Sequence, residues 1–184
     1  MSANTFPKAR PGTKGYDPAQ VEDFLDDAKR AYSAPAGTPA VLTSAQIRST
    51  AFALRKGGYS TEHVDAALER LEDAFAERER ETAVAAAGEN LWYGKVREEA
   101  QEILDRIARE PRKKFKRVSG LTRSYHVKDV DAFCDRLVDY FQHGKPLSVE
   151  EVRRVTFRVV RGGYQERQVD AVLDAVVEVM LAVR

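Results

Sequence analysis

The chain has 184 residues, with 30 Lys and Arg against 29 Asp and Glu, a formal net charge of +1, 43% hydrophobic residues and 32% charged ones. That balance suits one ordinary folded domain or two small ones, and it excludes both a disordered polyelectrolyte and a polycation built to coat nucleic acid. A single cysteine, Cys134, excludes an internal disulfide.

The opening segment, MSANTFPKARPGTKGY, has no apolar core of the signal-peptide kind. No apolar run reaches the roughly 20 residues that a spanning helix needs. The expected location is the cytoplasm, with peripheral contact at the inner membrane surface.

One short pattern then returns along the chain. Gly15-Tyr16 is followed, five residues after the tyrosine, by Val21-Glu22-Asp23-Phe24-Leu25. Gly58-Tyr59 leads in the same way to Val64-Asp65-Ala66-Ala67-Leu68, Ser124-Tyr125 to Val130-Asp131-Ala132-Phe133, and Gly163-Tyr164 to Val169-Asp170-Ala171-Val172-Leu173. The tyrosines Tyr16, Tyr59, Tyr125 and Tyr164 and the valines Val21, Val64, Val130 and Val169 therefore read as structural anchors. Each ring is expected to pack at a turn while its hydroxyl reaches a polar partner.

The first copy is preceded only by Phe6, and a loop is expected at 33–41 from Pro35, Gly37 and Pro39. Ahead of the second copy, Thr43 and Gln46 have capping-box spacing. Ile47, Ala51 and Leu54 then give one apolar stripe with Phe52 beside it, which predicts a helix running to Arg55 and Lys56 and stopped by Gly57-Gly58. After Tyr59, Val64, Leu68, Leu71 and Phe75 form a helical seam, in a stretch, 61–81, that is rich in Glu and Asp.

Residues 89–108 form a helical segment, with Leu91, Trp92, Val96, Ile103, Leu104 and Ile107 as apolar positions and Ala100 filling the gap. Residues 109–117 are strongly basic, and Pro111 ends the preceding helix. Phe115 leads the third copy, where Cys134 sits in a helical pattern that predicts a buried side chain rather than a reactive thiol. Gly144 and Pro146 mark the next break. Ser148 and Glu151 repeat the capping box, with Val152, Val155 or Thr156, and Val159 inward, Gly162-Gly163 as the stop and Val169, Val172, Leu173, Val176, Val177 and Met180 as a wide stripe. That stripe must be buried, against the rest of the chain or a second subunit. The expected fold is all-α: tandem helix–turn–helix or helical-hairpin repeats in two duplicated halves, 1–80 and 110–184, joined by a helical connection over 81–109.

The order of Leu, Thr or Ser, a helix, Phe, a basic residue, Gly-Tyr and then Val-Asp-Ala with a closing Leu resembles the N-terminal module of the DivIVA family. The match is tightest at Leu42–Leu71 and Leu147–Leu173 and partial at Phe6–Ala28 and Phe115–Leu137. The resemblance implies a non-enzymatic adaptor of bacterial cell division or polar growth, a homodimer, a division or envelope-growth protein as partner, and a place at septum or pole. Family members touch the inner membrane surface through a Phe–Arg pair and assemble through a long coiled coil. Here no aromatic residue immediately precedes Gly58-Tyr59 or Gly163-Tyr164, and no long heptad tract follows any copy.

The candidate contact residues, for a protein partner or anionic lipid, are Arg55, Lys56, Arg112, Lys113, Lys114, Lys116, Arg117 and Arg161. A nucleic-acid partner is disfavoured, because Glu62, Asp65, Glu166 and Asp170 at the helix starts would face phosphates. His63, His126 and His143 have no metal-ligand spacing, and the Gly pairs, expected after helices, do not read as a phosphate-cradling loop. No cofactor, no metal and no catalytic residue are expected.

Overall fold

The structure, a computed structural model, describes residues 5–35 and 41–183. The loop expected at 33–41 therefore lies largely outside the described residues. The chain divides into two compact units, Met1–Ala86 and Ala87–Arg184. It is mostly helical, with short strands.

In the first unit, β1 (Lys14–Tyr16) leads into α1 (Pro18–Tyr32), followed by α2 (Ser44–Arg48), β2 (Leu54–Lys56) and α3 (Thr61–Ala87). Asp17 accepts the Ala19 N–H at the start of α1, with Pro18 in the first turn where its missing N–H costs nothing. Thr43 and Gln46 close the capping box of α2. The acidic run of α3 holds α2 in place. Glu79 accepts from the N–H and hydroxyl of Ser44 at 2.8 and 2.7 Å, and buried Glu72 pairs with Arg48 at 2.7 Å. The core is Val21, Tyr59 and Val64, wrapped by Phe6, Tyr16, Leu25, Phe52 and Leu68. Arg78 on α3 donates to the carbonyls of Ala31, Tyr32 and Ala34, so a side chain satisfies the end of α1.

The second unit begins with α4 (Glu89–Ile107). It continues through β3 (Arg123–Tyr125), α5 (Val127–His143), α6 (Val149–Arg153), β4 (Val159–Arg161) and α7 (Glu166–Ala182). From β3 onward its element order is that of the first unit. Ser148 and Glu151 form the second capping box, and Gly144 closes α5 in the left-handed conformation. The segment expected as a connection is largely α4, which packs on α5 and α7 and buries Val96, Ile103 and Ile107. Trp92 Nε1–H donates to the Ala182 carbonyl at 3.2 Å. The valine-rich stripe of α7 is thereby covered from within its own unit, with Val169, Val176, Val177 and Met180 all buried.

Two expected helices are corrected. The helix beginning after Thr43 ends at Arg48, and Leu54–Lys56, expected in its last turn, is a strand. In the same way α6 ends at Arg153, and Val159–Arg161 is a strand. Ser49 and Thr50 turn their hydroxyls back to the Gln46 carbonyl, at 3.2 and 2.8 Å, an alternative to the helical ladder. In the second unit Val155, Thr156, Val159 and Val160 are β-branched. The backbone beyond each short helix finds an antiparallel partner instead: Lys14, Gly15 and Tyr16 face Lys56, Arg55 and Leu54, and Arg123, Ser124 and Tyr125 face Arg161, Val160 and Val159.

The repeats are therefore not independent helix–turn–helix units. They combine two by two, each pair of Gly-Tyr or Ser-Tyr patterns forming one ribbon.

Candidate functional site

Each ribbon is locked beneath its strands. Tyr16 and Tyr59 exchange backbone hydrogen bonds at 2.9 Å in both directions. Their hydroxyls cross over: Tyr59 donates to Glu22 after the first valine, and Tyr16 hydrogen-bonds Asp65 after the second. The second unit repeats this. Tyr164 donates to Asp131 at 2.9 Å and Tyr125 hydrogen-bonds Asp170. Tyr59 and Tyr164 are wholly buried, as are Val21, Val64, Val130 and Val169. Phe6 and Phe115 set their ring edges against Tyr59 and Tyr164, with centroids 5.5 and 5.4 Å apart.

The four acids could have been found from sequence, since each follows its repeat valine directly. Asp65 and Asp170 were assigned there to helix starts, and their tyrosine partners were missed.

All four hydroxyls are harder to ionise than an ordinary tyrosine. Burial is the first cause for Tyr16, Tyr125 and Tyr164, and the hydrogen bond to Glu22 is the first cause for Tyr59. Folded tyrosines thus keep protons that unfolded ones release above their ordinary value of 10.0. Their contribution is complete below pH 10 and is lost as pH rises toward the folded values. Urea midpoints are expected to hold steady up to about pH 10 and to fall above it, with a shallower fall for Tyr164→Phe.

The Gly pairs sit at the outer end of each ribbon. Gly57 and Gly162 take positive φ, +69° and +68°. Gly58 and Gly163 have no room for a side chain: an added Cβ would lie 2.4 Å from the Gly15 carbonyl oxygen and 2.1 Å from that of Tyr125. The Gly pairs follow strands, contrary to expectation. Even so the local amides are committed, since those of Gly58, Tyr59, Gly162 and Tyr164 all donate to backbone carbonyls. Where the first unit has Gly15, the second has Ser124, whose hydroxyl donates to the Tyr164 carbonyl.

The sequence-selected cations divide sharply. Lys114 is buried at 2% exposure. Its ammonium donates to the Ile107 carbonyl and to Asp135, the latter at 2.9 Å. It closes the C-terminal end of α4 and cannot reach a partner. Lys113 pairs with Glu110, and Arg117 donates to the Gly162 carbonyl at 2.9 Å. Arg112 is exposed at positive φ, and its N–H donates to Asp131. Lys116 is exposed, its N–H bonded to Gln168. The stretch 109–117 is thus partly an edge of the ribbon, with Arg117 bridged to Tyr164 as Lys8 is to Tyr59. Replacing Lys114 by Ala is expected to cost about 2–3 kcal/mol by urea unfolding, because the buried Ile107 carbonyl loses its donor. Lys113→Ala is expected to stay within about 0.5 kcal/mol.

The remaining three, Arg55, Lys56 and Arg161, lie at the ribbon tips, where the strand pairing sets two further cations beside them. Lys14 stands directly opposite Lys56, and Arg123 directly opposite Arg161; all four are exposed and have no ion pair among the described residues. Arg55 is next in line, 3.2 Å from Asp17. The turns before β1 and β3 complete the tips: Arg10–Thr13 in the first unit and Ser119–Thr122 in the second, each closed by an N–H···O bond of 3.0 Å. Leu121 stands 87% exposed in the second turn, and Leu54 and Val159 are about half exposed on the ribbon flanks at 54% and 52%.

Other groups have structural partners. His126 and Arg158 both bond Asp129, and Arg158 holds that carboxyl well below the usual carboxylate range. This cluster ties the start of α5 to the residue before β4, where the first unit uses Gln20 and the Ala53 N–H. Burial pushes the Cys134 thiol up to about 12, as expected of a core cysteine. Among the described residues no group of His, Cys, Asp or Glu is arranged to hold a metal, and no helix is long and apolar enough to cross a membrane. No family model, no curated protein and no solved structure matches the chain.

Proposed function

We propose that this protein is a non-enzymatic adaptor of the DivIVA-like kind, built from two copies of one ribbon-and-helix module, that docks on an anionic lipid surface through its ribbon tips. One observation carries the reading. In both units the two strands set cations of the same sign directly opposite one another, Lys14 against Lys56 and Arg123 against Arg161. Such a pair destabilises a ribbon, so its presence at equivalent places in both units calls for an external anion. Exposed Leu121, between flanking cations, supplies the apolar contact that a headgroup layer accepts and free phosphate does not. Of the cations expected from the sequence, Arg55, Lys56 and Arg161 form this surface together with Lys14 and Arg123, which the strand pairing adds, and the stretch 109–117 is left out of it. A division or envelope-growth protein as the cargo, homodimerisation, and a place at septum or pole rest on the resemblance.

Co-sedimentation with phosphatidylglycerol vesicles tests this reading. Binding is expected at low salt, to weaken as salt screens the tips, and to be absent on phosphatidylcholine alone. Equal binding to neutral vesicles, or none to anionic ones, overturns it.

A further inference from the structure

A groove of about 500 Å³ lies within the second unit, between the last turns of α4 and the first turns of α7. The two helices run antiparallel. Trp92 at the start of α4 donates to the Ala182 carbonyl at the end of α7, while Arg106 near the end of α4 lines the groove with Arg167 at the start of α7. Going back along α4 from Arg106 and forward along α7 from Arg167 therefore leads the same way. The two guanidiniums share one end of the groove, and Glu102, Ile103 and Val172 stand about one helical turn, roughly 6 Å, further in. Arg106 is half-buried and Arg167 exposed, and neither has an ion pair among the described residues. In the first unit the place of Arg167, three residues after the repeat tyrosine, is taken by Glu62.

We propose that this groove binds a small hydroxylated phosphate monoester of the sugar-phosphate class, with the phosphate between Arg106 and Arg167 and a hydroxyl on Glu102. Two cations at one end of a groove focus a positive potential there. A guanidinium meets phosphate oxygens with a fixed fork of donors, and two of them match a dianion better than they match one carboxylate. The half-buried carboxamides supply neutral donors beside them. The Gln165 side chain does not cap α7, and Gln168 accepts the Lys116 N–H at 2.9 Å through its oxygen, which leaves its amide hydrogens to donate. Glu102, one turn away, repels a second phosphate and accepts from a hydroxyl, so the groove selects against polyphosphates and nucleic-acid backbones. The walls at that depth, Ile103 and Val172, are aliphatic and suit the C–H face of a saturated ring. The volume is that of a site for one small molecule. The ribbon tips play no part in this site, so it stands apart from the lipid-docking reading.

Isothermal titration calorimetry of the full chain at low salt tests this, with glucose 6-phosphate and ribose 5-phosphate as probes and glucose and inorganic phosphate as controls. Saturable binding of at least one sugar phosphate is expected, roughly tenfold tighter than inorganic phosphate, with no binding of glucose. Arg167→Gln, at an exposed position, should leave the urea midpoint unchanged and weaken that sugar phosphate roughly tenfold or more. Arg106→Gln should weaken it likewise, and Glu102→Gln should remove the preference over inorganic phosphate. Arg161→Glu, at the ribbon tip, should leave the affinity as it is. Failure of both sugar phosphates to bind saturably, equal affinity for inorganic phosphate, or binding untouched by Arg167→Gln overturns the proposal. Adenosine monophosphate bound more tightly than either sugar phosphate overturns the sugar-phosphate class.

Discussion

Arg161→Glu is expected to weaken binding to anionic vesicles while making the protein slightly more stable. The substitution sets a carboxylate opposite Arg123 in place of a second guanidinium. An opposite-charge cross-strand pair is worth about 0.5 kcal/mol where a like-charge pair is unfavourable, so the urea midpoint should rise or hold. At the lipid surface one attraction is lost and one repulsion gained. At about 1 kcal/mol for each charge, that is roughly 2 kcal/mol, or about a 30-fold loss of binding. Lys56→Glu should do the same through Lys14 in the first unit. The opposed signs are what make the test sharp. A merely structural role for these cations predicts that stability and binding fall together, and a decorative role predicts that neither moves. The effect on binding should shrink at high salt, because the tips are exposed and screening acts fully on them.

Gly58→Ala and Gly163→Ala are expected to be among the most damaging single substitutions in the chain. The added Cβ at Gly58 would meet the carbonyls of Gly15 and Tyr16 at 2.4 and 2.5 Å, and at Gly163 the carbonyl of Tyr125 at 2.1 Å. Those neighbours are backbone, held by the Tyr16–Tyr59 and Tyr125–Tyr164 pairings, and they cannot swing aside as a side chain would. A loss of about 3 kcal/mol or more is expected from urea unfolding, at the upper end of overpacking effects. The adjacent glycines provide the control. Gly57 has positive φ but nothing within 4 Å of its missing Cβ, so Gly57→Ala should cost only about 1–2 kcal/mol. A helix cap at Gly57-Gly58 would have predicted the reverse order, with the left-handed residue the more sensitive. Hydrogen exchange at the Tyr59 amide, which donates to the Tyr16 carbonyl, reports the ribbon directly and should accelerate strongly in Gly58→Ala.

By itself the sequence determined the spacing of the four repeat patterns, the capping boxes at Thr43 and Ser148, and a packing role for the repeat tyrosines and valines. These are local properties. A cap is three residues long, and a valine five residues after its tyrosine starts a helical stripe whatever lies beyond. Cys134 and the stripe of α7 were legible for the same reason. Strands Leu54–Lys56 and Val159–Arg161 were not. Ile47, Ala51 and Leu54 satisfy a helical period, and a three-residue strand has too few alternations to contradict it. Its partner lies some 40 residues away in β1 (Lys14–Tyr16), and only the backbone groups of that partner make strand the better state. The same distance hid the exchange of tyrosines and acids between copies: Tyr59 with Glu22, Tyr16 with Asp65, Tyr164 with Asp131, Tyr125 with Asp170. Charge counting likewise placed Lys114 among surface cations. Its burial follows from where α4 ends, because a carbonyl left open at Ile107 takes the nearest donor. The tips themselves appeared only once the strands were paired, since Lys14 and Lys56, or Arg123 and Arg161, become neighbours through the register alone.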